Sequence, residues 1–106
     1  MTSRLLLSAA ARVRQAGLQN PRLRDGDLCA ILEADDVPRE LASEILQVYR
    51  WASSYQVKRA IVRSFATPHP ISLPLIPEMN PADLKDLARS DDVPPLVSAV
   101  ARRILG

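Results

Sequence analysis

Ile31-Leu32-Glu33-Ala34-Asp35-Asp36-Val37-Pro38, Ile61-Val62-Arg63-Ser64-Phe65-Ala66-Thr67-Pro68 and Leu87-Ala88-Arg89-Ser90-Asp91-Asp92-Val93-Pro94 align without a gap. Each opens on an apolar pair, crosses a short link and closes on Val-Pro or Thr-Pro. The prolines stand 30 and then 26 residues apart, a spacing expected of helical-pair repeats. Upstream, Asp27-Leu28 matches Asp83-Leu84. Downstream, Leu41, Ile71 and Val97 fall three residues past the proline, and Ile45, Leu75 and Ala101 fall seven past it. Steps of three and four residues are the signature of one helix face. Each unit therefore reads as a helix, a polar link and a second helix with proline in its first turn. There the missing N–H would have had no helical partner to lose. Thr67 is placed to cap its helix, and Asp36 and Asp92 are the nearest side chains able to do so in the other two units.

Working outward, the pattern predicts helices over 3–17, 26–34, 38–52, 55–65, 81–90 and 94–105. A short, proline-interrupted helix covers 69–78, where Pro74 and Pro77 each remove an interior hydrogen bond. The first helix carries Leu5, Ala9, Val13 and Ala16 on one side and Arg4, Ser8, Arg12 and Gln15 on another, as an end cap requires. The composition agrees. Of 106 residues, 47% are hydrophobic but only 4% aromatic, so the core is aliphatic. Three glycines against nine prolines suit short helices and not hairpins. The expected fold is all-α, one domain over 1–106: an N-terminal cap helix and link over 1–24, then about three helix-pair repeats over 25–106.

These motifs resemble the HEAT-like and leucine-rich-repeat-variant α-solenoids of bacteria, with the middle unit, Ile61 to Ile76, the closest match. The resemblance implies a short right-handed stack of antiparallel helix pairs and a scaffolding or protein-binding role. It carries no catalytic residues onto this chain. About three units are too few for a long concave groove of the kind that such solenoids use.

Charge alternates in blocks. Residues 1–24 hold Arg4, Arg12, Arg14, Arg22 and Arg24 and no acid, residues 25–48 hold seven acids against Arg39 alone, and residues 49–77 hold only Arg50, Lys58, Arg59 and Arg63. Blocks this short are alternate helix faces. The net charge of +2 does not by itself call for a polyanion. Apolar runs fall short of the roughly 20 residues of a membrane span, and Met1 to Leu7 reads as part of an ordinary first helix, so the expected location is the cytoplasm.

Catalytic chemistry finds little to work with. The Asp35/Asp36 and Asp91/Asp92 pairs occupy equivalent positions before a proline, which capping and the helix dipole explain. Cys29 lies among apolar residues with acids nearby, the wrong setting for a reactive thiolate. His69, between two prolines, reads as a surface imidazole. No cluster of ligands for a metal, no phosphate loop and no nucleophile motif stands out, so no enzyme, cofactor, metal or small-molecule substrate is expected.

One constellation remains. Tyr49, Trp51 and Tyr55 bring three of the four aromatics within seven residues, and Tyr55, Arg59 and Arg63 share one helix face while Val57, Ala60 and Ile61 take the other. Tyr, Trp and Arg dominate binding hot spots, so these five residues are candidate contacts for a protein partner or a second copy of the chain. The competing reading has Trp51 and Tyr49 filling a gap between repeats and the arginines solvated. A nucleic-acid-binding module using the basic faces at 1–24 and 49–63 is the alternative function.

Overall fold

The computed structural model describes residues 6–8 and 10–106; within them every regular element is helical. In chain order these are α1 (Ala11–Leu18), α2 (Asp25–Leu32), α3 (Leu41–Leu46), α4 (Tyr49–Ala52), α5 (Tyr55–Arg63), α6 (His69–Ser72), a 3-10 segment (Leu73–Glu78), α7 (Pro81–Arg89) and α8 (Pro95–Leu105). They pack into a body of 42 × 23 × 20 Å. α2 lies on α5 and α7 on α8. The 3-10 segment bridges α5 and α8, and α1 rests on α3.

The second half of each aligned unit supplies much of the core. Leu41, Ile45, Val97 and Ala101 are fully buried, Leu75 is buried, and Ile71 is only half-buried. The prolines that set the register sit slightly differently from expectation. Pro68 and Pro94 occupy the extended residue just before α6 and α8, and Pro38 lies a turn ahead of α3; Pro81 and Pro95 hold the first helical position. The ring's fixed φ suits both places. Before the helix, proline contributes its carbonyl: Pro94 O accepts from Val97 N at 3.0 Å and Ser98 N at 3.2 Å.

The expected caps are replaced by others. Thr67 turns its hydroxyl inward and donates to Ile61 O at 2.7 Å, and neither Asp36 nor Asp92 accepts a capping bond from α3 or α8. Among the described residues helix starts are instead bonded by Ser54, accepting from Val57 N, by Asn80, accepting from Asp83 N at 2.8 Å, and by Asp27, accepting from Arg24 N at 2.9 Å. Pro94 takes the cap position of α8 and Glu40 that of α3, so Asp92 and Asp36 are displaced from the helix starts and face solvent.

Two helices read as continuous are broken. The segment 38–52 splits at Val48, which is extended (φ −96°, ψ 115°). This break turns Trp51 into the core, where it is fully buried and its Nε1 donates to Leu18 O at 3.0 Å. The helix expected over 3–17 is interrupted: Leu6 is helical, Leu7, Ser8 and Ala10 are not, and α1 starts at Ala11 after an extended Ala10; residues 1–5 and 9, and with them Arg4, Leu5 and Ala9, lie outside the described residues. Its inward side also differs. Ala16 is exposed and Val13 half-buried, while Arg14, Gly17 and Leu18 face the core. Arg14 is drawn inward by a carboxylate on a neighbouring helix: its Nε and Nη2 donate to Glu44 Oε1 and Oε2 at 2.7 and 2.9 Å. A buried charge is tolerable on such terms, and periodicity along one helix cannot reveal a partner on another.

Candidate interaction surface

The four-residue spacing of Tyr55, Arg59 and Arg63 does place them on one face of α5, but that face meets α7. Tyr55 Oη donates to Asp83 Oδ2 and accepts from Asn80 N at 3.0 Å. Arg59 Nε lies 3.2 Å from Asp83 Oδ1, and Arg63 Nη1 donates to Asp86 Oδ2 at 2.7 Å. Lys58 Nζ, one step round the helix, reaches Glu78 Oε1 at 3.0 Å. The basic stretch is thus matched by acids 20 or more residues later in the chain. Reversing Arg59 or Arg63 to glutamate would set like charges against Asp83 and Asp86, so such a variant perturbs packing as well as any contact.

The remaining two aromatics part company. Tyr49 is 84% exposed, projecting from α4. Trp51 is core, with the Arg50 guanidinium stacked over its ring at 4.1 Å. Arg50 in turn donates to Leu23 O, so it clamps the link between α1 and α2. The structure therefore brings Tyr55, Arg59 and Arg63 together, leaves Tyr49 apart, and removes Trp51 from the surface.

Burial, and then the bond to Asp83, push the Tyr55 phenol above its ordinary value. A folded-state pKa raised above the unfolded value near 10 gives stability that is present below that pH and lost as pH rises through the folded pKa. Tyr55→Phe should cost about 1 kcal/mol at pH 8, the net worth of one such hydrogen bond. The difference from wild type should shrink above pH 10, as the wild-type phenol loses its proton. Urea denaturation of both proteins across that range measures it, and a gap that widened with pH would overturn the assignment.

A second surface carries a feature that the hot-spot reading missed. A groove of about 840 Å³ runs between α2 and α5, with Leu32, Ala60 and Cys29 inside it and the links 33–35 and 64–66 along its edge; Asp92 of the third link lines it too. Phe65 stands in this edge, 67% exposed. It is held there from both sides. Buried Ser64 donates to Leu32 O at 3.0 Å and accepts from Ala66 N at 3.2 Å, and buried Thr67 is tied to Ile61 O. Both neighbours of Phe65 being fastened, its ring faces outward. The signal was present in the alignment: the other two units place Asp35 and Asp91 at the position of Phe65, so an aromatic there is out of pattern.

The groove's electrostatics are lopsided. Its cations, Arg59 and Arg63, are neutralised by Asp83 and Asp86, whereas Glu33, Asp35 and Asp92 form no salt bridge among the described residues. Cys29 donates to Gln56 O at 3.5 Å. Burial, then the charges of Asp25 and Glu33, push its thiol above the ordinary range, the opposite of what a nucleophile needs. His69 is exposed at the start of α6. Among the described residues no group of three or more His, Cys, Asp or Glu side chains is placed to hold a metal ion, and no helix is long and apolar enough to cross a membrane. No family model, curated protein or solved structure matches the chain.

Proposed function

We propose that the chain is a small, non-catalytic protein-interaction module of the helical-repeat type, its helix pairs stacked as in a short right-handed solenoid. The stacking is supported by a recurrent register. Side-chain bonds join residues one repeat length apart: Arg14 to Glu44, Trp51 to Leu18, Ser54 to Asp25, Tyr55 to Asp83 and Ser64 to Leu32, at separations of 28 to 33 residues. The observation that carries the binding role is Phe65, a large aromatic held outward at the edge of a groove. An exposed aromatic beside a concave, partly apolar surface is the usual form of a protein-contact anchor.

The site is accordingly centred on Phe65, with Arg59 and Arg63 as part of its wall. Tyr49 is a separate exposed aromatic, and Trp51 serves packing. The nucleic-acid reading has less in its favour: the cations of 49–63 are matched by acids or tied to carbonyls, and the unmatched charges beside the groove are negative, which repels phosphate. A photo-cross-linking phenylalanine analogue at position 65, with position 49 as control, tests the proposal in the native cell. We expect one discrete protein adduct from position 65 and none of that mass from position 49. Adducts of nucleic acid, or the same products from both positions, would sink it.

A further inference from the structure

Resting on the Phe65 groove as a protein-contact site, we propose that its partner is a cationic peptide segment, one that sets lysine or arginine beside an apolar anchor. Three observations converge. The groove is apolar inside, through Leu32 and Ala60. Phe65 offers it an exposed ring, whose face attracts a cation as readily as its edge packs a methyl group. Among the described residues the charges left unmatched around it are all carboxylates: Glu33 and Asp35 from the first link and Asp92 from the third. The arginines that share the wall already spend their charge on Asp83 and Asp86. The field reaching an incoming chain is therefore negative, and complementarity sets both its rate of encounter and its identity.

The links also explain why acids stand there. Asp35 and Asp92 make no capping bond, so helix termination does not account for them. Both line the same groove as Phe65, although they come from links that are more than 50 residues apart in the chain.

Fluorescence anisotropy on the whole chain tests this with two labelled amphipathic helices, one of leucine and lysine and one of leucine and glutamate. We expect the lysine peptide to bind at least about tenfold more tightly than the glutamate peptide, with an affinity that falls as salt is raised. Phe65→Ala should weaken it by about tenfold or more. The pair Asp35→Asn/Asp92→Asn should weaken it by about fivefold. Asp36→Asn/Asp91→Asn, which removes the same charge one residue outside the lining, should do less. Circular dichroism checks that each variant keeps its helix. Equal binding of both peptides with Phe65 still required would overturn the cationic partner and leave the site standing. Binding of either peptide that ignored Phe65 would remove the site itself. Sedimentation showing a dimer that Asp35→Asn/Asp92→Asn dissociates would make a second copy the occupant, and that too would overturn the proposal.

Discussion

Trp51→Ala should be the most damaging single substitution in the chain, costing about 3–5 kcal/mol as buried Trp-to-Ala changes do. The side chain is fully buried, and its loss leaves a cavity in a core otherwise made of aliphatic residues. The substitution also strips Leu18 O of its indole donor, and an unsatisfied buried carbonyl adds to the penalty. Arg50, stacked on the same ring, loses the surface that positions it for Leu23 O. Small domains have only about 5–15 kcal/mol of stability in total, so the variant should melt at least about 12 °C lower. Tyr49→Ala, two residues away but exposed, should stay within about 0.5 kcal/mol of wild type. Trp51 is the only tryptophan, so its fluorescence reports the same fact without mutation: a blue-shifted emission in the native state that moves red on unfolding. Native emission at the wavelength of a solvated indole would refute the burial of Trp51, and equal melting of the two variants would refute its weight.

Glu44→Ala should come second, at about 3 kcal/mol. Arg14 has a side chain only 3% exposed, while Glu44 is 12% exposed. Removing the carboxylate strands a guanidinium with Ser8 O at 2.9 Å and the distant edge of Glu40 at 4.0 Å for company. In the wild type the bond to Glu44 is the largest cause that raises the Arg14 pKa; in the variant the charge persists all the same, because a guanidinium is not deprotonated in proteins, so the desolvation cost cannot be escaped by losing a proton. The informative partner is the double variant Arg14→Met/Glu44→Leu, which removes both charges and keeps the volume. It should recover most of the loss, because a buried pair seldom outperforms a well-packed apolar one. Denaturant melts of the wild type, the single and the double variant decide it. A double variant worse than Glu44→Ala would mean that the pair stabilises outright instead of merely satisfying itself.

Both residues show where reading along the chain stops. The apolar register of the aligned segments is local information. Proline spacing and apolar steps of three and four residues depend on neighbours within a turn or two, and they placed Leu41, Ile45, Val97 and Ala101 in the core correctly. The all-helical class followed from the same pattern and from scarce glycine. Arg14 and Trp51 obey a different logic. Arginine in an acid-free helix looks solvated until Glu44, 30 residues on, supplies two oxygens. Tryptophan beside tyrosine and arginine looks like a binding anchor until the extended Val48 turns it inward onto Leu18 O.

The candidate site divides in the same way. Spacing alone put Tyr55, Arg59 and Arg63 on one face, but whether that face met solvent or α7 was decided by tertiary packing, which supplied Asp83 and Asp86. Phe65 was visible as an exception in the aligned links, although its exposure was not: that depends on Ser64 and Thr67 fastening the chain on both sides of it. What the sequence determined by itself is the helical class, the apolar register of single helices and the aliphatic core, because each is set by residues close in the chain. Which charges are spent and which are free only the tertiary structure decided, because a charge is neutralised by whatever the fold places within a few ångströms, at any distance in sequence.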